Sequence, residues 1–337
     1  MALRYRWTAW EVVVVALILS LPVILGAQTT EPCLEEKARQ HIDQQHYERC
    51  LKMHTMQQIF ESPYVIGVHA IKDGHFGFGT GVVRKIGERW YIITNNHVIE
   101  GANEIFVQFF RGDEKMHSVS LAGRDPAADI ALLEAPILPR GVSSVLFGGK
   151  PRIAEEVYAL GYPYGMRSIT LGFVNALSTR SQFYFLTQTP VNPGNSGGPL
   201  FNVKHEMIGL NTVIIPGAMM SFSFFMEYTE MILPRLTREK LVEHGAAGFS
   251  FSDTAQILPM FFAKHSLAYP PEEHGIMVTE LNPAADATNS HIRVGDVVTH
   301  HNNGFVRNTQ ELEKRLFLDY RPGEEVVLTM KRGTQVF

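Results

Sequence analysis

The 337-residue chain predicts a mostly β protein, built as antiparallel barrels or a sandwich. Three observations lead there. Between Tyr64 and about Thr212, short β-like runs follow one another: Trp90 to Thr94, Ile105 to Phe110, Ile130 to Leu133, Val157 to Leu160, Phe183 to Thr187 and Met207 to Leu210. Gly, Asn, Asp and Pro break them at intervals that suit hairpin-linked strands rather than βαβ units. Helix-like stretches are read on either side of this region, Cys33 to Phe60 and Tyr228 to His244.

The length allows two or three domains, each with its own core. Thirty Lys and Arg against 34 Asp and Glu leave no basic excess to neutralise phosphates, so nucleic acid is not an expected partner. Residues 1–27 start with Arg4 and Arg6, run through an apolar stretch from Val12 to Leu25 and end on Gly26-Ala27 before Gln28. That is the layout of a secretory signal peptide cleaved after Ala27. A retained membrane anchor over residues 10–27 is the competing reading, because Trp10 to Ala27 approaches the ~17-residue minimum for a spanning helix. Glu11 and Pro22 weigh against it, and either reading places the remainder of the chain outside the cytoplasm, periplasmic or secreted.

Residues 28–60 form a polar, Gln- and His-rich segment with Leu34, Ala38, Ile42, Leu51 and Ile59 at loosely helical intervals. A continuous helix would hold Cys33 and Cys50 about 25 Å apart at ~1.5 Å per residue, whereas a disulfide needs Cα atoms within about 7 Å. An intrachain bridge therefore requires a hairpin that no Gly or Pro signals, although an exported chain meets oxidising conditions. His46, Cys50 and His54 would share one helix face, but without a paired Cys motif they read as part of a polar helix, and neither a metal nor a cofactor is assigned.

Within the β region, three side chains stand in contexts that suit nucleophilic catalysis. Ser196 lies in Gly194-Asn195-Ser196-Gly197-Gly198-Pro199-Leu200, a loop too tight for ordinary side chains, where glycines let backbone N–H groups turn inward toward a developing oxyanion. Serine is a weak nucleophile and needs a base and an orienter. His97 follows the apolar run Tyr91-Ile92-Ile93-Thr94 at a polar turn, and Asp129 precedes the run Ile130-Ala131-Leu132-Leu133. Singly, each residue would pass as a turn or loop residue. Together they stand in the order His, Asp, Ser of the trypsin-like catalytic triad.

The segments Gly79-Thr80-Gly81-Val82-Val83, TNNHVI (94–99), DPAADIALL (125–133), GYPYG (161–165), SITLGFVNALSTR (168–180) and NPGNSGGPLF (192–201) closely resemble, in order and spacing, the HtrA/Deg family of trypsin-like serine proteases. The resemblance covers most of the chain. It implies a chymotrypsin/trypsin-like double six-stranded β-barrel over residues 61–227, with His97 and Asp129 on the first barrel and Ser196 on the second. It also implies an oxyanion hole in the loop Gly194, Asn195 and Ser196, formed by the N–H groups of Gly194 and Ser196.

Specificity is partly legible. Trypsins that cut after Lys or Arg carry an acid six positions before the serine, and that position here is Pro190; no Asp or Glu lies between Ser168 and His205. An uncompensated cation would be costly there, so the pocket should take apolar side chains. Two departures put pocket shape in question. The approach Gln188-Thr189-Pro190-Val191-Asn192-Pro193 is shorter than the family's. Ser221-Phe222-Ser223-Phe224-Phe225-Met226-Glu227 stands where the family has Gly-Ile-Gly-Phe-Ala-Ile-Pro, which adds bulk beside the expected substrate path.

Tyr228 to His244 reads as a helix within a linker, residues 228–247, with Pro234 as a kink or first turn and Gly245-Ala246-Ala247-Gly248 as its end. Beyond it, Gly275-Ile276-Met277-Val278, Asn282-Pro283-Ala284-Ala285 and Arg293-Val294-Gly295-Asp296-Val297-Val298 resemble motifs of a PDZ domain over 248–337. Gly248-Phe249-Ser250-Phe251 aligns with its carboxylate-binding loop, which captures peptide C-termini. The chain stops where relatives continue into a last strand.

The resemblance implies an exported endopeptidase of protein quality control, acting on unfolded or damaged proteins as a homotrimer, with Phe60 and Tyr64 as packing candidates for that assembly. A membrane-tethered regulatory protease, or a catalytically weak chaperone or peptide-binding protein, are the alternatives.

Overall fold

The structure, a computed structural model, describes residues 44–109, 115–177, 183–215, 220–245, 247–269, 275–282 and 291–337. The leader at 1–27, Cys33 and Pro283-Ala284-Ala285 lie outside the described residues. Helix α1 (Gln44–Phe60) is polar over most of its length and fully buries only Ile59. Its Cys50 is disulfide-bonded, which the lack of Gly and Pro in this segment did not signal; the partner sulfur lies outside the described residues.

Residues 56–337 form one unit. It begins with a seven-stranded sheet of β1 (Val65–Lys72), β2 (His75–Ile86), β3 (Arg89–Thr94), β4 (Glu104–Gln108), β5 (Met116–Ser118), β6 (Leu121–Asp125) and β7 (Ile130–Glu134), with a one-turn helix α2 (Asn96–Ile99) after β3. The spatial order is β5-β4-β1-β2-β3-β7-β6. A closed barrel follows, of β8 (Glu156–Gly161), β9 (Ser168–Ala176), β10 (Tyr184–Thr187), β11 (Pro199–Asn202), β12 (Met207–Ile215) and β13 (Met220–Phe225). The ladders in both are antiparallel, as the strand spacing predicts.

The second half closes with six strands as expected, whereas the first is a sheet of seven with β6 at its edge. The edge is not left open, because residues 240–242 run beside it: Arg124 N–H donates to Lys240 O (3.1 Å) and Val242 N–H donates to Arg124 O (2.8 Å). The same pairing ends the expected helix early. Helix α3 (Met226–Leu236) contains Pro234 within its span and stops at Leu236; residues 237–239 turn back onto it, and residues 240–242 then pair with β6.

Strands with an unbroken apolar run mark where two cores meet. In β3, Ile92 points into one core and Ile93 into the next; in β7, Ile130 and Leu132 join Ile93 while Ala131 and Leu133 join Ile92. In β8, Tyr158 and Leu160 face that shared central core while Val157 and Ala159 fill the closed barrel. Side chains alternate across a strand, so a strand covered on both faces needs no polar positions. Each fully buried Ile or Leu contributes about 1.5–3 kcal/mol relative to exposure. The central core includes Ile59 of α1 and Ile232, Leu233 and Leu236 of α3, which clamp the two β halves together.

The C-terminal region has its own core, centred on Ile276, Val278, Val298, Leu312 and Met330. Its elements are β14 (Phe249–Asp253), α4 (Pro259–Lys264), β15 (Ile276–Leu281), β16 (Val297–His301), β17 (Gly304–Phe305), α5 (Thr309–Asp319), β18 (Leu328–Arg332) and β19 (Gln335–Val336). The sheet order is β14-β15-β16-β18-β19, with β17 on β16, so β14 is an edge strand. Asp296, 1 % exposed, is held by two contacts from Arg332 at 2.7 and 2.8 Å.

Candidate active site

His97 sits on the one-turn helix α2, where β3 ends, with its side chain 45 % exposed. Its Nδ1 lies 2.7 Å from Asp129 Oδ2, and its backbone N–H donates to Asp129 Oδ1 at 2.8 Å. An ionised carboxylate only accepts, so the proton sits on Nδ1 and the Nε2 lone pair is left free to act as a base. Asp129 is one residue before β7 at φ +54, a left-handed conformation that Asp tolerates better than most residues. It is over-determined by its surroundings: its carbonyl accepts from Asn96 N–H (3.1 Å) and from Asn95 Nδ2 (2.8 Å).

The Ser196 loop is tied to the end of β3, just before His97, by a chain of buried threonines. Thr80 N–H on β2 donates to Ser196 O (2.9 Å), and Thr80 Oγ1 donates to Gly194 O (2.6 Å). Thr94, three residues before His97, donates its Oγ1 to Thr80 O at 2.7 Å. Gly197, at φ +80, touches the same strand end, since a methyl there would fall 2.3 Å from Thr94 Oγ1 and 2.9 Å from Asn95 N. From the other side, β12 holds the loop through Gly197 N–H to Asn211 O and Asn211 N–H to Gly198 O, both 2.9 Å. The serine loop and the end of the strand that leads to the histidine turn are thus tied together through Thr80 and Thr94.

The oxyanion candidates divide. Asn195 N–H is committed to Asn192 O at 3.0 Å, so it is not available to a substrate. Among the described residues, the N–H groups of Gly194 and Ser196 have no hydrogen-bond acceptor. The Pro193 carbonyl accepts from Tyr164 N–H (3.2 Å), and because the peptide is trans, the Gly194 N–H points the opposite way. Gly194 has φ +107, and a Cβ there would fall 2.4 Å from Tyr162 O, so only glycine holds this turn.

The substituted strand β13 turns part of its added bulk into the barrel. Ser221 and Ser223 face the barrel interior, 1 % and 0 % exposed, where Ser221 pairs with Thr187 (2.9 Å) and Ser223 donates to Asn211 Oδ1 (3.1 Å). Phe225 packs on Phe185 with ring centroids 4.8 Å apart. That part of the bulk is absorbed by the barrel core.

Several contributors escaped the sequence reading, because their partners are distant in the chain. Thr80 and Asn95 are two. Tyr184 is another: burial, with the charges of Asp129 and Asp125 nearby, pushes its phenol up to about 12, so it stays protonated beside the catalytic carboxylate candidate. Phe60 and Tyr64 pack into this chain's own core, and Tyr64 meets Phe201 edge-on at 6.1 Å. Of the other candidates, Gly248 precedes β14, and Phe249, Ser250 and Phe251 lie on it. A cavity of about 550 Å³ opens at its start, lined by Ala247, Phe249, Leu316, Tyr320 and Leu328 among others.

Residues 79–210 match the trypsin-like peptidase domain. The relatives narrow it: the chain is 28 % identical over 307 residues to the serine protease Do-like HtrB of Bacillus subtilis, covering 80 % of this chain and 66 % of that protein. It is 30 % identical over 270 residues to a probable periplasmic serine protease do/HhoA-like of Haemophilus influenzae, covering 76 % and 56 %. The serine endoprotease from Yersinia pestis superposes with a TM-score of 0.63 at 25 % identity, over 84 % of this chain and 94 % of that one. The chain spans between about half and two thirds of the length of these curated relatives. The chain thus carries a trypsin-like peptidase domain and is similar to HtrA/DegP-type serine proteases.

Proposed function

We propose that this chain is an exported serine endopeptidase of HtrA/Deg type that cleaves unfolded or damaged proteins after apolar residues. The observation that carries the proposal is the 2.7 Å pair of His97 and Asp129, held beside the Ser196 loop by Thr80 and Thr94. Ser196 Oγ attacks the scissile carbonyl; His97 Nε2 takes its proton and passes it to the leaving amine; Asp129 fixes the imidazole tautomer and stabilises the imidazolium. The Gly194 and Ser196 N–H groups receive the oxyanion. Pro190 in place of an acid leaves the pocket without a countercharge for Lys or Arg.

Residues 248–337 serve as a PDZ-type module. β14 offers its free edge to an extended peptide, and the cavity beside Phe249 receives the terminal side chain. Export through residues 1–27, to the periplasm or beyond, and assembly as a homotrimer complete the reading. A fluorophosphonate probe tests it. Labelling of the wild type that disappears in Ser196→Ala supports the protease, and absence of labelling on folded wild type removes it in favour of a peptide-binding protein.

A further inference from the structure

Four residues before Asp129 in the same turn region lies a fully buried carboxylate, Asp125. Asp125 is 0 % exposed and closes the turn Asp125-Pro126-Ala127-Ala128, its Oδ1 accepting from Ala128 N–H at 3.0 Å. Asp129 N–H donates to Pro126 O (3.3 Å), so this turn sets the left-handed backbone of Asp129. The other oxygen, Oδ2, lies 2.5 Å from Nε2 of His244, whose side chain is 4 % exposed. His244 stands 115 residues beyond Asp129 in sequence, where residues 240–242 have already paired with β6.

The proton inventory of the imidazole is constrained. Nδ1 faces the carbonyl of Phe317 on α5, an acceptor, so Nδ1 carries a hydrogen. Nε2 faces Asp125, so one further proton lies between imidazole and carboxylate. The ring is also stacked on Phe317 at 3.5 Å between centroids, 9° from parallel, and Phe317 packs on Phe183 at 4.3 Å. A buried carboxylate without this partner would be left uncompensated, and the turn would rearrange to reach water or a new donor.

We propose that His244 is a positioning residue for the catalytic apparatus: through Asp125 it fixes the turn that presents Asp129 to His97. The proposal rests on the protease reading. It makes the stretch after α3 part of the active-site support rather than a tether, and it makes the C-terminal region a contributor to the geometry of Asp129, since Phe317 holds the other side of the same ring.

Two nearly isosteric substitutions separate the two faces of the imidazole. His244→Gln keeps a donor where Nε2 stands, and His244→Asn keeps one where Nδ1 stands. On a small chromogenic peptide, His244→Asn and His244→Ala should lower kcat about 10²-fold with KM within twofold, the size of effect that a misplacement near 1 Å produces; His244→Gln should recover most of kcat. Lys314→Met is the control. It breaks another tie between α5 and the rest of the unit, Lys314 to Glu227 at 3.0 Å, without touching Asp125, and should leave kcat unchanged. Equal kcat in the Asn and Gln variants, an unaltered His244→Ala, or a Lys314→Met as slow as His244→Asn would each overturn the positioning role.

A second readout does not need turnover. The downfield proton resonance of His97 Nδ1, assigned by its loss in Asp129→Asn, should shift or broaden in His244→Asn and persist in His244→Gln; an unperturbed resonance in all His244 variants also overturns the proposal. If wild type binds no fluorophosphonate, the protease reading fails by itself while this resonance still decides what His244 holds.

Discussion

His97 and Asp129 are joined twice, ring to carboxylate at 2.7 Å and backbone N–H to the second carboxylate oxygen at 2.8 Å. One carboxylate therefore sets both the orientation of the imidazole and the position of the turn that carries it. The double contact separates two effects of a substitution, because an amide can replace the backbone contact but not the electrostatic one.

Asp129→Asn should accordingly fold and lose activity. Its Oδ1 can still accept the His97 N–H, while its Nδ2 now faces Nδ1 and favours the wrong tautomer. The expected loss is about 10⁴-fold in kcat with an unchanged thermal midpoint. A variant that unfolds instead would show that the backbone contact needs the charge.

Gly194→Ala tests the oxyanion loop. The added methyl meets Tyr162 O at 2.4 Å on a backbone at φ +107, so the Pro193–Gly194 peptide must rotate and its N–H must leave the cleft. Loss of one such donor lowers kcat by about 10²–10³ with little change in KM. Steady-state kinetics on an apolar chromogenic peptide read both, and a KM effect alone would place the loop outside the chemistry.

Arg167 ties the end of α1 to the barrel, donating to the carbonyls of Phe60 (2.9 Å), Ser62 (2.7 Å) and Val65 (2.7 Å) and to the Tyr162 hydroxyl (2.8 Å). Arg167→Met removes the donors and keeps most of the aliphatic stem. With carbonyls left partly unsatisfied, the cost is about 3 kcal/mol, or a fall of about 6–12 °C in the thermal midpoint. Arg167→Lys should recover only part of it, because an ammonium cannot reach all the acceptors of a planar fork.

Two histidines predict an acid-sensitive fold. Burial lowers the pKa of His69 and of His301 below the ordinary 6.5, with the Arg315 charge adding to the effect at His301, and both have a buried Nε2 without a partner. The unfolded chain then takes up protons before the native state does, so their contribution is present above pH 6.5 and is lost as pH falls through the lower folded values. Glu313 acts in the opposite sense, its carboxyl raised by burial and by Asp253. The thermal midpoint should drop between pH 7.5 and 5.0, and the drop should shrink in the double variant His69→Gln, His301→Gln. An equal drop in both proteins would assign the acid sensitivity elsewhere.

The sequence by itself determined the strand runs and the antiparallel pairing and marked out three candidate residues, because each leaves a local mark: continuous apolar runs where a strand lies between two cores, and glycines where the backbone must turn left-handed. Gly194 and Gly197 announce the serine loop in this way. The first sheet's seventh strand was not legible, nor was the early end of α3 at Leu236, since both follow from residues 240–242 pairing with the β6 edge more than a hundred positions upstream. What Thr80, Tyr184, Asp125 and His244 bond or pack against was invisible for the same reason. A buried threonine or histidine has no characteristic neighbours in sequence, and its role comes from whichever distant polar group it must satisfy once folding removes water. Local propensity chose the elements; tertiary structure alone decided which hydrogen-bonding groups would have to find one another.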